Sequence, residues 1–328
     1  MTAVSFAPAG RFSLAASSRF LEGFTPASYH HAADGILRLA FPADDGTSVV
    51  AATVRQGPAT GGGTGTVRAE FTVHPGTPAL AEAAPAGAAA DKGVRAQLAR
   101  ILSLDVDGTG FPALAADPVV AGLMADHPGL RPVCFHSPYE AAAWAVIGNR
   151  IRMAQAAAIK AGIARRHGHR VHIAGQTLHA FPTPAVLRTI SDVPGLTGVK
   201  IQRLHSLAEA ALDGQLDAAR LRALPADYAL ADLRALPGIG PFSAELVLIR
   251  GAGHPDVFPR HEPRVHRALA AAYGLGAPAA ADVARLAAVA DRWRPYRSWV
   301  ATLLRIRAQG GYQVRWRPPR VRAAVAAG

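Results

Sequence analysis

The chain carries a single cysteine, Cys134, in 328 residues. One thiol excludes an intramolecular disulfide and any zinc or iron–sulfur site built on cysteines. Alone, Cys134 reads as a small buried hydrophobe. Acidic residues are also few: 23 Asp and Glu stand against 35 Lys and Arg, a net charge of +12. That imbalance points to a polyanionic partner, nucleic acid ahead of an acidic membrane surface; the plain alternative is a basic protein with neither. No apolar run approaches the ~20 residues that span a bilayer, because Arg, Glu or Pro interrupts every Ala-rich stretch. The opening MTAVSFAPAGRF lacks the basic head and long apolar run of a secretory signal, so a cytoplasmic protein is expected. What the chain does have is apolar substance. Half of it is hydrophobic, enough for a globular core over two or three domains.

The first part reads as strands. GILRLAFP (35–42), SVVAATVRQ (48–56) and TVRAEFTV (66–73) are alternating and rich in β-branched residues. Asp44-Asp45-Gly46 and Gly61-Gly62-Gly63 supply the turns, which suits an antiparallel sheet. FSLAASSRFL (12–21) is a candidate further strand, and the Ala, Pro and Gly of 76–92 read as a loop. From about 93 the pattern is helical. Ser137-Pro138-Tyr139-Glu140 has the form of a capping box with proline at the first helical position. The helix it opens breaks at Gly148-Asn149-Arg150, and a second run reaches about Arg166. Thr183-Pro184 opens another helix. VKIQRLHSLAEAALDG places Ile201, Leu204, His205 and Ala208 at helical spacing. His167, His169 and His172 lie in HGHRVH without an acid or a fixed helical register, which reads as a basic helix end rather than a metal site.

The most informative stretch is DYALADLRALPGIGPFSAELVLIRG (227–251). Asp227 is placed to cap a helix running to about Leu236. Pro237-Gly238-Ile239-Gly240 is a tight turn, and Ile239 can pin it to the core. Pro241 then starts a second helix that Gly251 ends. A loop of this kind, followed by a helix N-terminus, suits a phosphate, although the same pattern also describes an ordinary helical hairpin. Next comes FPRHEPRVHRAL (258–269), with one acid, Glu262, among five basic or imidazole side chains. Pro263 at the first helical position puts Glu262 at the N-cap, where the helix end together with Arg260 and Arg264 favours its ionised form. Such an anion can stabilise a developing cation or orient a water. It can equally be a cap with no chemistry. Asp256, the other nearby acid, reads as a turn residue.

LPGIGPFSAELVLIRG followed by DVFPRHEPRVHRAL resembles the helix-hairpin-helix-GPD superfamily of DNA glycosylases. SPYEAAAWAVIGNRI, FPTPAVLRTI and RWRPYRSWVATLL extend the resemblance to its DNA-3-methyladenine glycosylase II branch. The resemblance implies an α+β fold, with a small N-terminal antiparallel sheet domain (1–115) and an all-helical core (116–315) of two subdomains flanking a cleft. A basic tail (316–328) follows. It implies a monomer that binds duplex DNA, flips an alkylated purine of the 3-methyladenine type and hydrolyses its glycosidic bond, which begins base excision repair. Glu262 is then the catalytic carboxylate, and Phe242, Leu246, Tyr139 and Trp144 line the base pocket. Asn149, Arg150, Pro237, Gly238, Ile239, Gly240 and Arg264 contact DNA, with Arg150 as the wedge. No organic cofactor is implied, although the carbonyls of Arg234, Leu236 and Ile239 could hold a monovalent cation. Bifunctional relatives carry a nucleophilic lysine at the position of Phe242, so lyase chemistry is not expected.

The sequence also departs from the branch. Its acid is normally aspartate, and here it is Glu262, one methylene longer. His261 replaces a usual acid, Pro241 removes an amide donor, and Arg305 falls where the branch places a pocket aromatic. Two alternatives follow: a protein of the same fold that recognises damaged DNA with weak or no base release, or a glycosylase for a different or bulkier lesion.

Overall fold

The computed structural model describes residues 1–23, 34–59, 64–76 and 87–309. The α+β class read from the sequence is what it contains. Strands β2 (Leu37–Pro42), β3 (Ser48–Gln56) and β4 (Val67–Pro75) form antiparallel neighbours, with residues 43–47 turning from β2 to β3. Strand β1 (Thr2–Phe6), which the sequence reading did not contain, pairs antiparallel with β4, so the order is β1-β4-β3-β2.

FSLAASSRFL is a helix, α1 (Leu14–Gly23), not a strand. Leu14, Ser17, Ser18 and Leu21 are buried at helical spacing, and the Ser13 hydroxyl accepts from the Ala16 N–H at 3.2 Å, capping the first turn. The 3.6-residue period therefore outweighs the apparent alternation of that segment. Helix α2 (Ala88–Ile101) begins earlier than the sequence suggested. The glycine turn at 61–63, residues 77–86 of the expected loop and the tail from 310 lie outside the described residues.

The remaining helices are α3 (Pro118–Asp126), α4 (Pro138–Gly148), α5 (Met153–His167), α6 (Pro184–Leu187), α7 (Gly198–Leu212), α8 (Ala218–Ala223), α9 (Ala226–Arg234), α10 (Pro241–Leu246), α11 (Pro263–Ala272), α12 (Val283–Ala290) and α13 (Arg297–Ala308). Asp227 is not the cap of α9. Pro225 precedes that helix, and Asp227 sits in its first turn, where its charge still favours the helix dipole. Between α5 and α6 a hairpin went unread in the sequence: β5 (Arg170–Ile173) pairs with β6 (Gln176–His179). Its two-residue turn is Ala174-Gly175, both at positive φ (45° and 77°). That is the backbone of a tight hairpin without the Asn-Gly or Asp-Gly that signals one. His169 stacks on His74 of β4, ring centroids 5.4 Å apart. Among the described residues no group of three or more His, Cys, Asp or Glu is placed to hold a metal, and no helix is long and apolar enough to cross a membrane.

Two hydrophobic cores organise the chain. One joins the inner face of the sheet, α1 and α2 to α11, α12 and α13, with Trp293 fully buried. The other gathers α4, α5, α7, α9 and α10. Cys134 is buried, and burial pushes its thiol upward. Glu140 lies deep at the start of α4. Ser137 caps that helix, its hydroxyl accepting from the Glu140 N–H at 3.1 Å. The reciprocal half of the expected capping box does not form, because the Glu140 carboxylate turns to His136 Nδ1 (2.7 Å) and Lys160 Nζ (2.5 Å).

Candidate active site

Leu236 and Ile239 are buried while Pro237 and Gly240 are exposed, so the turn between α9 and α10 is anchored by its apolar residues and presents the others outward. The Ile239 N–H donates to the Leu236 carbonyl at 3.1 Å. Gly238 has φ +87°, and a Cβ there would lie 2.7 Å from the Arg203 side chain. The positive φ is what favours glycine here, since the Arg203 side chain is flexible. Pro241 opens α10 at the position read from the sequence. Val247–Gly251 then widens into one π turn, all five residues buried. It presses against α4: a Cβ on Gly251 would lie 2.8 Å from the Pro138 Cα.

Glu262 is the N-cap of α11, as its place before Pro263 implied, and its Oε1 accepts from the Arg264 N–H at 3.2 Å. The residue is 8% exposed. It is nevertheless not sealed off, because it lines an open cleft of about 670 Å3. That falls within the usual size range of small-molecule sites, ~300–1,000 Å3. Phe242, Leu246, Trp144 and Arg305 line the same cleft, with Phe20 of α1 and Phe135. A smaller recess of about 50 Å3 shares Phe242, Leu246, Glu262 and Arg305 with it. Phe242 is 43% exposed, an aromatic face open to a partner. Arg305 Nε lies 4.0 Å from Glu262 Oε2.

Tyr139 is not brought to this cleft. Its ring is buried against Phe181, its hydroxyl donates to the Pro182 carbonyl at 3.1 Å, and burial holds its phenol well above the usual range. The helical period explains the difference. Trp144 lies five residues further along α4 and so projects to another side. Asp256 is a structural residue: Arg297 Nε holds it at 2.7 Å and Arg294 Nη1 at 3.2 Å.

Asn149 and Arg150 are exposed at the break after α4, and Arg150 has φ 56°. A positive φ in a long side chain costs energy that the surroundings must supply. Lys200 of α7 helps to supply it. Its Nζ donates to the Ile147 and Asn149 carbonyls, both at 2.8 Å. Burial, and after it the charge of Arg203, lower the Lys200 pKa. Lys200→Met should therefore loosen this turn. Losing charged hydrogen bonds worth ~1 kcal/mol or more is expected to weaken binding to duplex DNA about fivefold, measured by fluorescence anisotropy. Unchanged affinity would detach the turn from DNA contact.

The sequence reading missed Lys200, Phe20 and Glu245. Glu245 is buried on α10 and lines the smaller recess. The one available signal was an acid inside an otherwise apolar run, AELVLI.

No family model matches the sequence. Curated relatives do. Over 215 residues (62% of this chain, 40% of the relative) it is 32% identical to a probable bifunctional transcriptional activator/DNA repair enzyme AlkA of Mycobacterium tuberculosis. Over 198 residues (58% of this chain, 64% of the relative) it is 30% identical to DNA-3-methyladenine glycosylase 2 of Escherichia coli. The chain thus spans less than two thirds of either protein. Among solved structures, the 3-methyladenine DNA-glycosylase of Archaeoglobus fulgidus superposes with a TM-score of 0.70 at 22% identity, over 96% of this chain and all of that one. The 8-oxoguanine glycosylase/lyase of Clostridium acetobutylicum, in complex with double-stranded DNA, gives 0.53 at 14% identity, over 84% and 98%. At those identities the superpositions establish the fold. The resemblance to the helix-hairpin-helix-GPD superfamily is borne out. The curated relatives to which the chain is similar include DNA-3-methyladenine glycosylases.

Proposed function

We propose that the protein is a monomeric, monofunctional DNA glycosylase that releases alkylated purines from duplex DNA and so begins base excision repair. One observation carries this reading: a low-exposure carboxylate, Glu262, lines an open cleft beside the exposed ring of Phe242. The flipped base stacks on Phe242. The bond from the sugar C1′ to the base nitrogen breaks, and its electron pair leaves with the base. Glu262 stabilises the oxocarbenium-like sugar and orients the water that adds to C1′, and the proton this water loses passes to the carboxylate and on to solvent. Phe242 cannot form a Schiff base, which supports hydrolysis without strand cleavage. Arg150 fills the vacated stack, and the turn at 237–240 with Arg264 grips the backbone. The carbonyls of Arg234, Leu236 and Ile239 are hard oxygen donors on one turn, and the Leu236 oxygen keeps a lone pair beyond its bond to Ile239. These carbonyls would hold a monovalent cation, which would supply positive charge for a DNA phosphate.

Arg305 favours a second reading. A guanidinium 4.0 Å from Glu262 offsets the charge that a cationic sugar or an alkylated purine would meet. The same fold would then serve a different lesion, or would hold damaged DNA without cutting. The test is release of free base from duplexes carrying a panel of lesions, by wild type and by Arg305→Leu. Like charges ~4 Å apart cost several kcal/mol at an effective dielectric of ~20. The substitution is therefore expected to raise release of cationic purines relative to neutral ones by about tenfold or more. Binding without release of any base, by either protein, would refute the enzyme reading.

A further inference from the structure

Glu245 makes contacts that the proposed chemistry has not yet used. The residue is 4% exposed. Oε1 accepts from the Arg260 N–H at 2.9 Å, and Oε2 accepts from the His261 N–H at 2.9 Å. His261 Nδ1 lies 2.7 Å from Oε1 and donates when that nitrogen is protonated. A buried carboxylate is tolerated where such donors compensate it. All three donors belong to the two residues immediately before Glu262.

The origin of this clamp matters as much as its target. Glu245 lies three residues after Phe242, on the same face of α10. That helix is launched directly from the turn at 237–240. One short helix therefore carries the base platform near its start and the clamp on the Glu262 loop one turn later. Glu245 also lines the small recess together with Glu262.

We infer that Glu245 is a positioning residue: it fixes the backbone of Arg260 and His261, and through it ties the hairpin to the placement of the Glu262 carboxylate. This rests on the proposed glycosylase reading. It also bears on the longer acid at 262. A glutamate has one more torsion to restrain than an aspartate, and a misplacement of ~1 Å can cost on the order of 100-fold in rate. Restraint of the entering backbone removes part of that freedom.

The test is Glu245→Gln, which keeps one acceptor oxygen and sets an NH2 group against an N–H donor. Single-turnover base release is expected to fall by about 10- to 100-fold, with affinity for an abasic-site duplex within about threefold of wild type. Hydrogen exchange at the Arg260 and His261 amides is expected to quicken, with global exchange unchanged. In a Glu262→Gln background the substitution is expected to cause no further loss, since Glu245 acts only through Glu262. An unchanged release rate with faster exchange overturns the inference, and so does an additive loss in the double variant. Should Glu245→Gln not fold, His261→Ala removes one of the three contacts from the exposed side, with an expected loss of about threefold and a normal melting curve. No loss there overturns the inference as well. Should wild type release no base from any lesion, the glycosylase reading falls separately. The amide exchange of Glu245→Gln then decides the clamp alone: unchanged rates at 260 and 261 refute it.

Discussion

Glu262→Gln is expected to lower single-turnover base release by on the order of 100- to 1,000-fold, the usual effect of deleting one pre-placed charge stabiliser. The substitution isolates charge. Glutamine keeps the size of the side chain and an oxygen that can still accept from the Arg264 N–H, so the cap on α11 survives. The loss in stability should be limited to the interaction of a charge with the helix end, ~0.3–1 kcal/mol. Thermal melting and DNA affinity should therefore stay close to wild type while release collapses. A variant that releases base as fast as wild type would show that Glu262 is only a cap. In that case the open cleft beside it would need another explanation.

The second large effect lies away from the cleft floor. Glu140→Ala is expected to destabilise the fold by about 3–5 kcal/mol, because it breaks a buried ionic cluster from one side. Glu140 is 3% exposed and Lys160 12%, so Lys160 loses that carboxylate in a place where water cannot replace it fully. Burial by itself would push the Glu140 carboxyl upward. The charges of His136 and Lys160, and their hydrogen bonds, outweigh it and hold the group well below the ordinary carboxylate range. The sign follows from that direction. A depressed native pKa adds stability that is fully present above the unfolded value, ~4.3, and is lost as pH falls through the lower native one. The deficit of Glu140→Ala should thus be complete at neutral pH and shrink below about pH 4. Urea unfolding at pH 7 and at pH 3.5 measures it. Equal deficits at both would mean that packing, not charge, is responsible. The functional link is α4, which begins at this cluster, carries Trp144 to the cleft and ends at the Arg150 turn.

Much of the site was legible because short-range rules govern it. Pro241 and Pro263 each sit at a first helical position, so the start of α10 and the N-cap role of Glu262 could be read from a few neighbours. The central strands were legible through their alternation, and the turn at 44–46 through its Asp-Asp-Gly. The misreadings have physical causes too. Ser17 and Ser18 are buried in α1, and polar residues on a buried face disguise a helix as an alternating strand. Ala174 takes a positive φ that its side chain does not advertise. Glu245 and Lys200 act through backbone groups far along the chain. Such contacts depend on tertiary placement and leave no local periodicity. Tyr139 was assigned through the resemblance, and it lies five residues from Trp144 on the helix, well past one full turn.

The core that joins the N-terminal sheet to α11, α12 and α13 has a consequence for how the molecule comes to be. The strands are synthesised long before the helices that cover them. Until those helices arrive, Leu37, Phe41 and Phe71 keep an oily surface wet, and the nascent sheet has only part of its eventual shelter. Assembly must therefore close a loop through most of the polypeptide, an entropic toll that slows the final step and leaves sticky edges exposed meanwhile. The fold thus depends, while the chain is being made, on early strands waiting for helices that emerge far later.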